Sequence, residues 1–272
     1  MAWIVLNRPE AGNAVTPAQR NHMIELLEQA SGDLAIRAVV FTATGKHFCT
    51  GADLRAGRAQ AGAAGAGAGA GGGGGASKPA GAPERPTGSV ARTIASGAQR
   101  FIAAIQDCEK PVIAAVNGTA AGLGAHMAFA SDLVIAAEEA RFIEVFVRRG
   151  IVPDSGGLYM LPRLIGLQKA KELAFFGDDL PAHEAERIGL VNRVVPGDKL
   201  EDEAREWAQR LASGPTVAIG LAKRLLNRSL ESDRATAFQE EVWAQEITMT
   251  SHDAAEGMTA FAERRPPLFT GW

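Results

Sequence analysis

Val112-Ile113-Ala114-Ala115-Val116, running straight into Asn117-Gly118-Thr119-Ala120-Ala121-Gly122-Leu123-Gly124, is the stretch that decides the fold. Five apolar residues without a polar break read as a buried strand, and the glycines that follow mark a sharp turn at its end. Ala125, Met127, Ala128 and Phe129 then suggest a helix starting near Gly122. The first amides of such a helix have no partner within it and point at whatever sits beside them. A pair of amides so placed is an oxyanion hole in prospect. Glycines in a strand-to-helix turn also have purely steric uses, so the stretch taken alone leaves both readings open.

Working outward, short Val- and Ile-rich runs at residues 4–6, 38–42, 133–136 and 191–195 read as further buried strands. A second glycine turn, Gly45-Lys46-His47-Phe48-Cys49-Thr50-Gly51-Ala52-Asp53-Leu54, follows the run at 38–42. Thr16, Pro17 and Gln19 form an N-cap, a first helical position and a capping box ahead of Met23, Leu26 and Leu27. Alternating strands and helices argue for an α/β core over residues 1–197. Beyond it, residues 200–212, 216–228, 234–250 and 253–264 all read as helices, giving a helical C-terminal section at 198–272. Residues 56–89 are mostly Gly and Ala, then Pro-rich, with almost nothing larger than a methyl group to bury, so a flexible insertion is expected there.

Bulk properties exclude several classes. A net charge of −3 leaves no basic surplus for nucleic acid or an anionic membrane surface. Two cysteines, Cys49 and Cys108, with no Cys/His cluster at ligand spacing, point away from a disulfide framework or a metal site. No apolar run reaches the roughly 18 residues that a membrane span needs, so a cytoplasmic protein is expected.

Several segments, in order, carry a resemblance. Leu6-Asn7-Arg8-Pro9-Glu10 with Asn13-Ala14, then 48–54, 110–118, Ser131-Asp132-Leu133, Gly189-Leu190-Val191 and Glu256-Gly257-Met258 resemble the signature segments of the enoyl-CoA hydratase/isomerase (crotonase) family. The resemblance implies a spiral of ββα units with a helical C-terminal trimerisation section, assembled as a trimer or a hexamer. It further implies an acyl-CoA substrate, no separate cofactor, and a thioester carbonyl held by the backbone N–H groups of Ala52 and Leu123. Gly51, Asp53, Leu54 and Gly122 frame those groups. Leu123 stands where glycine is commoner, so its side chain must point away. Relatives of this kind have a strand ahead of the 3–6 segment; either the start is assigned late here or that edge strand is missing, which would leave residues 2–6 with unpaired backbone groups.

Hydratases of the family hold water between two glutamates, and the matching positions here are His126 and Phe146. Glu144 would share a face with Phe146 if the segment were extended, and is weighed as a partial substitute against a surface or packing role. Asp154, in Val152-Pro153-Asp154-Ser155-Gly156-Gly157, stands where isomerases of the enoyl-CoA and ring-epoxide phenylacetyl-CoA types place their acid. One carboxylate can take a proton and return it elsewhere, whereas hydration also needs a positioned water. Isomerisation is therefore expected over hydration, with a catalytically silent acyl-CoA binding protein as the reading from another class.

His126 reads two ways, as a neutral imidazole assisting proton transfer or as pocket wall. Arg264 and Arg265, supported by the C-terminal pattern, are candidates for coenzyme A phosphates, as more weakly are Arg8 and Lys46. His47 reads as a solvated turn residue, and Asp53 as an acceptor shaping its loop. Asp154-Ser155-Gly156-Gly157 also looks like the loop around a serine nucleophile, but no His in a matching context and no β-rich chain accompany it. Gly122-x-Gly124 lacks the third glycine of a dinucleotide fingerprint, because Met127 occupies its place.

Overall fold

The computed structural model describes residues 1–53, 81 and 87–272. Leu54 and nearly all of the Gly/Ala-rich stretch at 56–89 lie outside these residues, and its last residue, Ser89, opens the helix Ser89–Ile94.

Among the described residues, nine strands form two sheets. β1 (Ala2–Leu6), β2 (Val39–Ala43), β4 (Val112–Val116), β6 (Leu133–Ala137) and β9 (Arg193–Val195) make a five-stranded sheet in the order β1-β2-β4-β6-β9, parallel throughout. β3 (His47–Cys49), β5 (Thr119–Ala121), β7 (Arg141–Ile143) and β8 (Asp179–Pro181) make the second sheet, in the order β3-β5-β7-β8. Its first three strands are parallel and β8 is antiparallel to β7. β2/β3, β4/β5 and β6/β7 are consecutive pairs that each give one strand to each sheet before a helix returns the chain. The ββα units thus step sideways together, which is the expected spiral.

Burial on both faces explains the unbroken apolar strands. Side chains alternate between faces along a strand, so Val39, Phe41, Val112, Ala114 and Val116 join the main core, where Phe101 meets Phe41 edge-on at 6.4 Å. Ala38, Val40, Ile113, Ala115 and Ile135 face the other way, against Leu200, Ala204 and Ala208 of the helix Leu200–Ala212. β1 lies at one edge of this sheet. The first helix, Pro17–Gly32, has its Thr16 cap and the Gln19 capping box.

Four helices close the chain: Leu200–Ala212, Thr216–Arg228, Arg234–Met249 and His252–Glu263. Lys223 bolts the second of them to the core. Its buried ammonium donates to the carbonyls of Ile105 and Lys110 and pairs with Asp132 at 2.8 Å, while Asp132 also accepts the Val112 amide. Burial raises the Asp132 carboxyl above its ordinary range and Lys223 opposes the rise. No helix among the described residues is long and apolar enough to cross a membrane.

Candidate active site

The first glycine turn leaves the C-terminal end of β3 and is held from outside. Val15 donates its amide to the Gly51 carbonyl at 2.8 Å and accepts the Asp53 amide at 2.9 Å, forming an isolated parallel bridge with Ala52. Because Gly51 C=O and Asp53 N–H both face Val15, the intervening Ala52 N–H points the other way. Val15 is itself fixed by the segment before it. Asn13, in a left-handed conformation at φ 54°, donates its side-chain amide to the Thr44 and His47 carbonyls and accepts the Arg8 amide. Arg8 reaches over to Asp53 at 3.1 Å and also donates to the Ala14 carbonyl and to Gln19. The Leu6-to-Ala14 signature is therefore a buckle for the first turn.

The second turn leaves the C-terminal end of β5, the neighbour of β3. Gly122 has φ 52° and ψ −120°, a conformation that a side chain would strain, and it caps the helix Leu123–Ala130. Leu123 is the first helical residue, so its N–H has no partner within the helix. Its side chain is buried in the main core and so points away from the turn, as required. The two turns are in contact. A methyl group placed on Gly51 would fall 3.2 Å from the Ala121 oxygen and 4.0 Å from the Leu123 nitrogen. Two amides from different ββα units, one of them at the positive end of a helix, are thus held side by side.

One turn further along that helix, His126 is wholly enclosed. Its Nδ1 lies 2.6 Å from Ser155 Oγ, and its Nε2 lies 3.0 and 3.1 Å from the two oxygens of Glu144. The three residues are 0%, 1% and 3% exposed. Phe146 stacks on the imidazole, with centroids 5.2 Å apart and planes 17° apart. Gly157 lies against the ring so closely that a methyl group there would fall 2.1 Å from Nε2. Asp154, next to Ser155, is half-buried, and the Gln99 side chain donates to its backbone carbonyl at 3.2 Å. Desolvation raises the Asp154 carboxyl above the ordinary range, and His126 pulls the other way.

The enoyl-CoA hydratase/isomerase family model matches residues 1–69 and 84–271. The chain belongs to the enoyl-CoA hydratase/isomerase family. Among relatives of the family, it is 36% identical to a Rhodobacter capsulatus protein named "Probable enoyl-CoA hydratase", over all of this chain and 95% of the relative. It is 33% identical to the 1,2-epoxyphenylacetyl-CoA isomerase of Escherichia coli, over 98% of this chain and 94% of the relative. The crystal structure of the enoyl-CoA hydratase from Bacillus anthracis superposes with a TM-score of 0.84 at 33% identity, covering 99% of this chain and 95% of that one.

Within this family fold, the residues expected at the site divide into three groups. Gly51, Ala52, Gly122 and Leu123 meet at the paired turns, while His126, Glu144, Phe146 and Asp154 cluster one helical turn away. Asp53 belongs to the buckle: its carboxylate takes the Arg8 guanidinium at 3.1 Å. Arg264 and Arg265 lie at the end of the last helix, and among the described residues no hydrogen bond or ion pair joins either to the turns. Arg264 is its left-handed C-cap, and Arg265 is paired with Glu256 and Glu263. Those contacts hold the Glu256 carboxyl down at about 2.

Four sequence expectations need correction. The segment after β7 is not extended at Phe146, which has φ −62° and ψ −45°, yet Glu144 and Phe146 still converge, one on the edge and one on the face of His126. The surface role weighed for Glu144 is thereby ruled out. Ser155 does have a histidine, supplied from 29 residues away, but its hydroxyl is buried against Nδ1 and is not presented to a substrate. His47 lies in β3 with its Nδ1 enclosed and without a partner among the described residues, so it is not a solvated turn residue. Sequence reading missed Ser155 and Gly157 as packing partners of His126; the Ser-Gly-Gly run after Asp154 was the only signal.

Proposed function

We propose that the chain binds an acyl-CoA thioester, holds its carbonyl oxygen between the Ala52 and Leu123 amides, and moves a double bond by proton transfer through Asp154. On a 3-enoyl thioester, the Asp154 carboxylate takes a proton from the α-carbon and the electron pair delocalises onto the thioester oxygen. The same carboxyl returns the proton at the γ-carbon, leaving the double bond between the α- and β-carbons. The oxyanion in between is where amide donors act most strongly, each worth about 3 kcal/mol. A carboxyl raised by partial burial is better matched to both halves of the transfer. No separate cofactor enters this scheme.

The observation that carries isomerisation over hydration is the commitment of Glu144. Both of its oxygens face His126 Nε2, and it is enclosed, so it is not available to orient a water. Phe146 fills the other position with an aromatic ring. That leaves Asp154 as the partly exposed acid. The relatives named as hydratases favour the second reading, addition of water to a 2-enoyl thioester. The two are separated by following 3-enoyl-CoA and 2-enoyl-CoA side by side in deuterated water. Double-bond migration with deuterium at the γ-carbon supports isomerisation, net hydration supports the alternative, and silence on both supports a binding protein.

A homotrimer, or two trimers together, fits the surface of the C-terminal helices. Phe238, Val242, Trp243, Ile247 and Phe261 are exposed there, more large apolar surface than a lone soluble chain commonly shows.

A further inference from the structure

We propose that Ser155, His126 and Glu144 form a buried positioning chain that holds Asp154 in its working place, none of the three touching the substrate. The inference rests on the reading of Asp154 as the proton-transfer group and deepens it.

Both ring nitrogens of His126 are engaged, one on each neighbour. Nε2 faces the Glu144 carboxylate, and Nδ1 shares the other hydrogen bond with the Ser155 hydroxyl, which can donate or accept as the tautomer requires. Every polar atom in the chain is used, which matters because the enclosed site offers no solvent to a group left over. The imidazole has little freedom, with Phe146 stacked on it and Gly157 against it. Ser155 is therefore tied to a fixed point on the helix that also supplies the Leu123 amide. Asp154 is its immediate neighbour, secured from the other side by Gln99. The consequence is a carboxyl held at a set place near His126 rather than on a loose loop.

The chain has an electrostatic side as well. Among the described residues, His126 is the charged or titratable side chain that acts on Asp154, and Glu144 reaches it only across the ring. Loosening the loop lets water reach the carboxyl and returns its titration toward the ordinary range, so the acid limb of the rate profile moves to lower pH.

The test uses the full-length protein with 3-enoyl-CoA and compares Ser155→Ala, Ser155→Thr, Asp154→Asn and the double variant Asp154→Asn/Ser155→Ala. Ser155→Ala is expected to lower kcat roughly tenfold with KM within about twofold, and to move the acid limb of kcat downward; Ser155→Thr, which keeps the hydroxyl, restores part of the rate. In the Asp154→Asn background the same change is expected to cost less than about twofold, because a residue acting through Asp154 has nothing left to act on. An unmoved acid limb, or an equal loss in both backgrounds, overturns the positioning chain while leaving Asp154 in its role. Wild-type turnover in Asp154→Asn removes the reading beneath it and is scored separately.

Discussion

Replacing Gly124 by alanine is the most direct test of the paired turns, because two magnitudes oppose each other there. Gly124 lies inside the helix Leu123–Ala130, where alanine is favoured by about 1 kcal/mol on propensity alone. Considered as a helix position, Gly124→Ala stabilises. The structure reverses the sign. The new methyl group would fall 2.2 Å from the Cys49 carbonyl oxygen and 2.6 Å from Cys49 Cβ. Carbon atoms rest at about 3.5 to 4.0 Å, so the helix and the end of β3 must part by about 1 Å. Both obstructing groups are rigid: one is backbone, and the other is the first atom of a fully buried side chain. Overpacking of this kind costs about 1 to 3 kcal/mol, occasionally more, which leaves a net loss of up to about 2 kcal/mol after the propensity gain, toward the upper end because neither obstructing group can swing away. Function is expected to suffer more, since the displacement separates the segments that carry the Leu123 and Ala52 amides. A misplacement of about 1 Å at a reacting centre can cost on the order of a hundredfold. The assay pairs the thermal midpoint at fixed protein concentration with the rate of α-deuterium exchange into an acyl-CoA. A Gly124→Ala protein that melts higher and exchanges at the wild-type rate would refute the close approach, and with it the paired-amide site.

Asp154→Asn keeps the shape and removes the basicity, so turnover of 3-enoyl-CoA is expected to drop a hundredfold to ten-thousandfold, by the usual scale of about 10² to 10⁴ for such groups, with thioester binding largely kept; His126→Ala costs much less. Because burial raises the Asp154 carboxyl, the wild-type kcat falls on the acid side above the pH at which an exposed aspartate titrates, and a limb in the ordinary aspartate range would contradict that. Lys223→Met strips Asp132 of its counter-charge and is expected to cost about 3 to 5 kcal/mol near neutral pH. With only the Val112 amide left to oppose desolvation, the folded-state affinity of Asp132 for a proton rises further, so the variant regains stability relative to wild type as pH falls, and denaturation at two pH values reads the sign. Sedimentation at micromolar concentration is expected to give a trimer or hexamer, and a monomer would contradict the role proposed for the exposed Phe238, Trp243 and Phe261.

Much of this fold was legible in one dimension because its strongest signals are local. β4 runs from Val112 to Val116 as expected, and Leu200–Ala212 and Thr216–Arg228 begin and end where their patterns do. The helix start at Gly122 followed from a glycine turn and four apolar residues. The second sheet was less visible, since three-residue strands such as Thr119–Ala121 are too short to show a period and sit inside what reads as a turn. The site was half legible. Ala52 and Leu123 lie within their own motifs, but the pairing of His126 with Glu144 and Ser155 spans 18 and 29 residues and depends on how β7 and the Asp154 loop come round. Arg8 and Asp53, 45 residues apart, escaped for the same reason. Each was noticed singly; only the fold makes them partners.

The Val15 bridge also isolates the site mechanically. It fixes Gly51 on one side of Ala52 and Asp53 on the other, immediately before the chain enters its Gly/Ala-rich stretch. Any tension from that stretch reaches the Asp53–Val15 hydrogen bond and the Asp53–Arg8 ion pair before it reaches Ala52. The buckle at Val15 and Arg8 is therefore what a change in the neighbouring sequence would have to break before it moved the amide of Ala52.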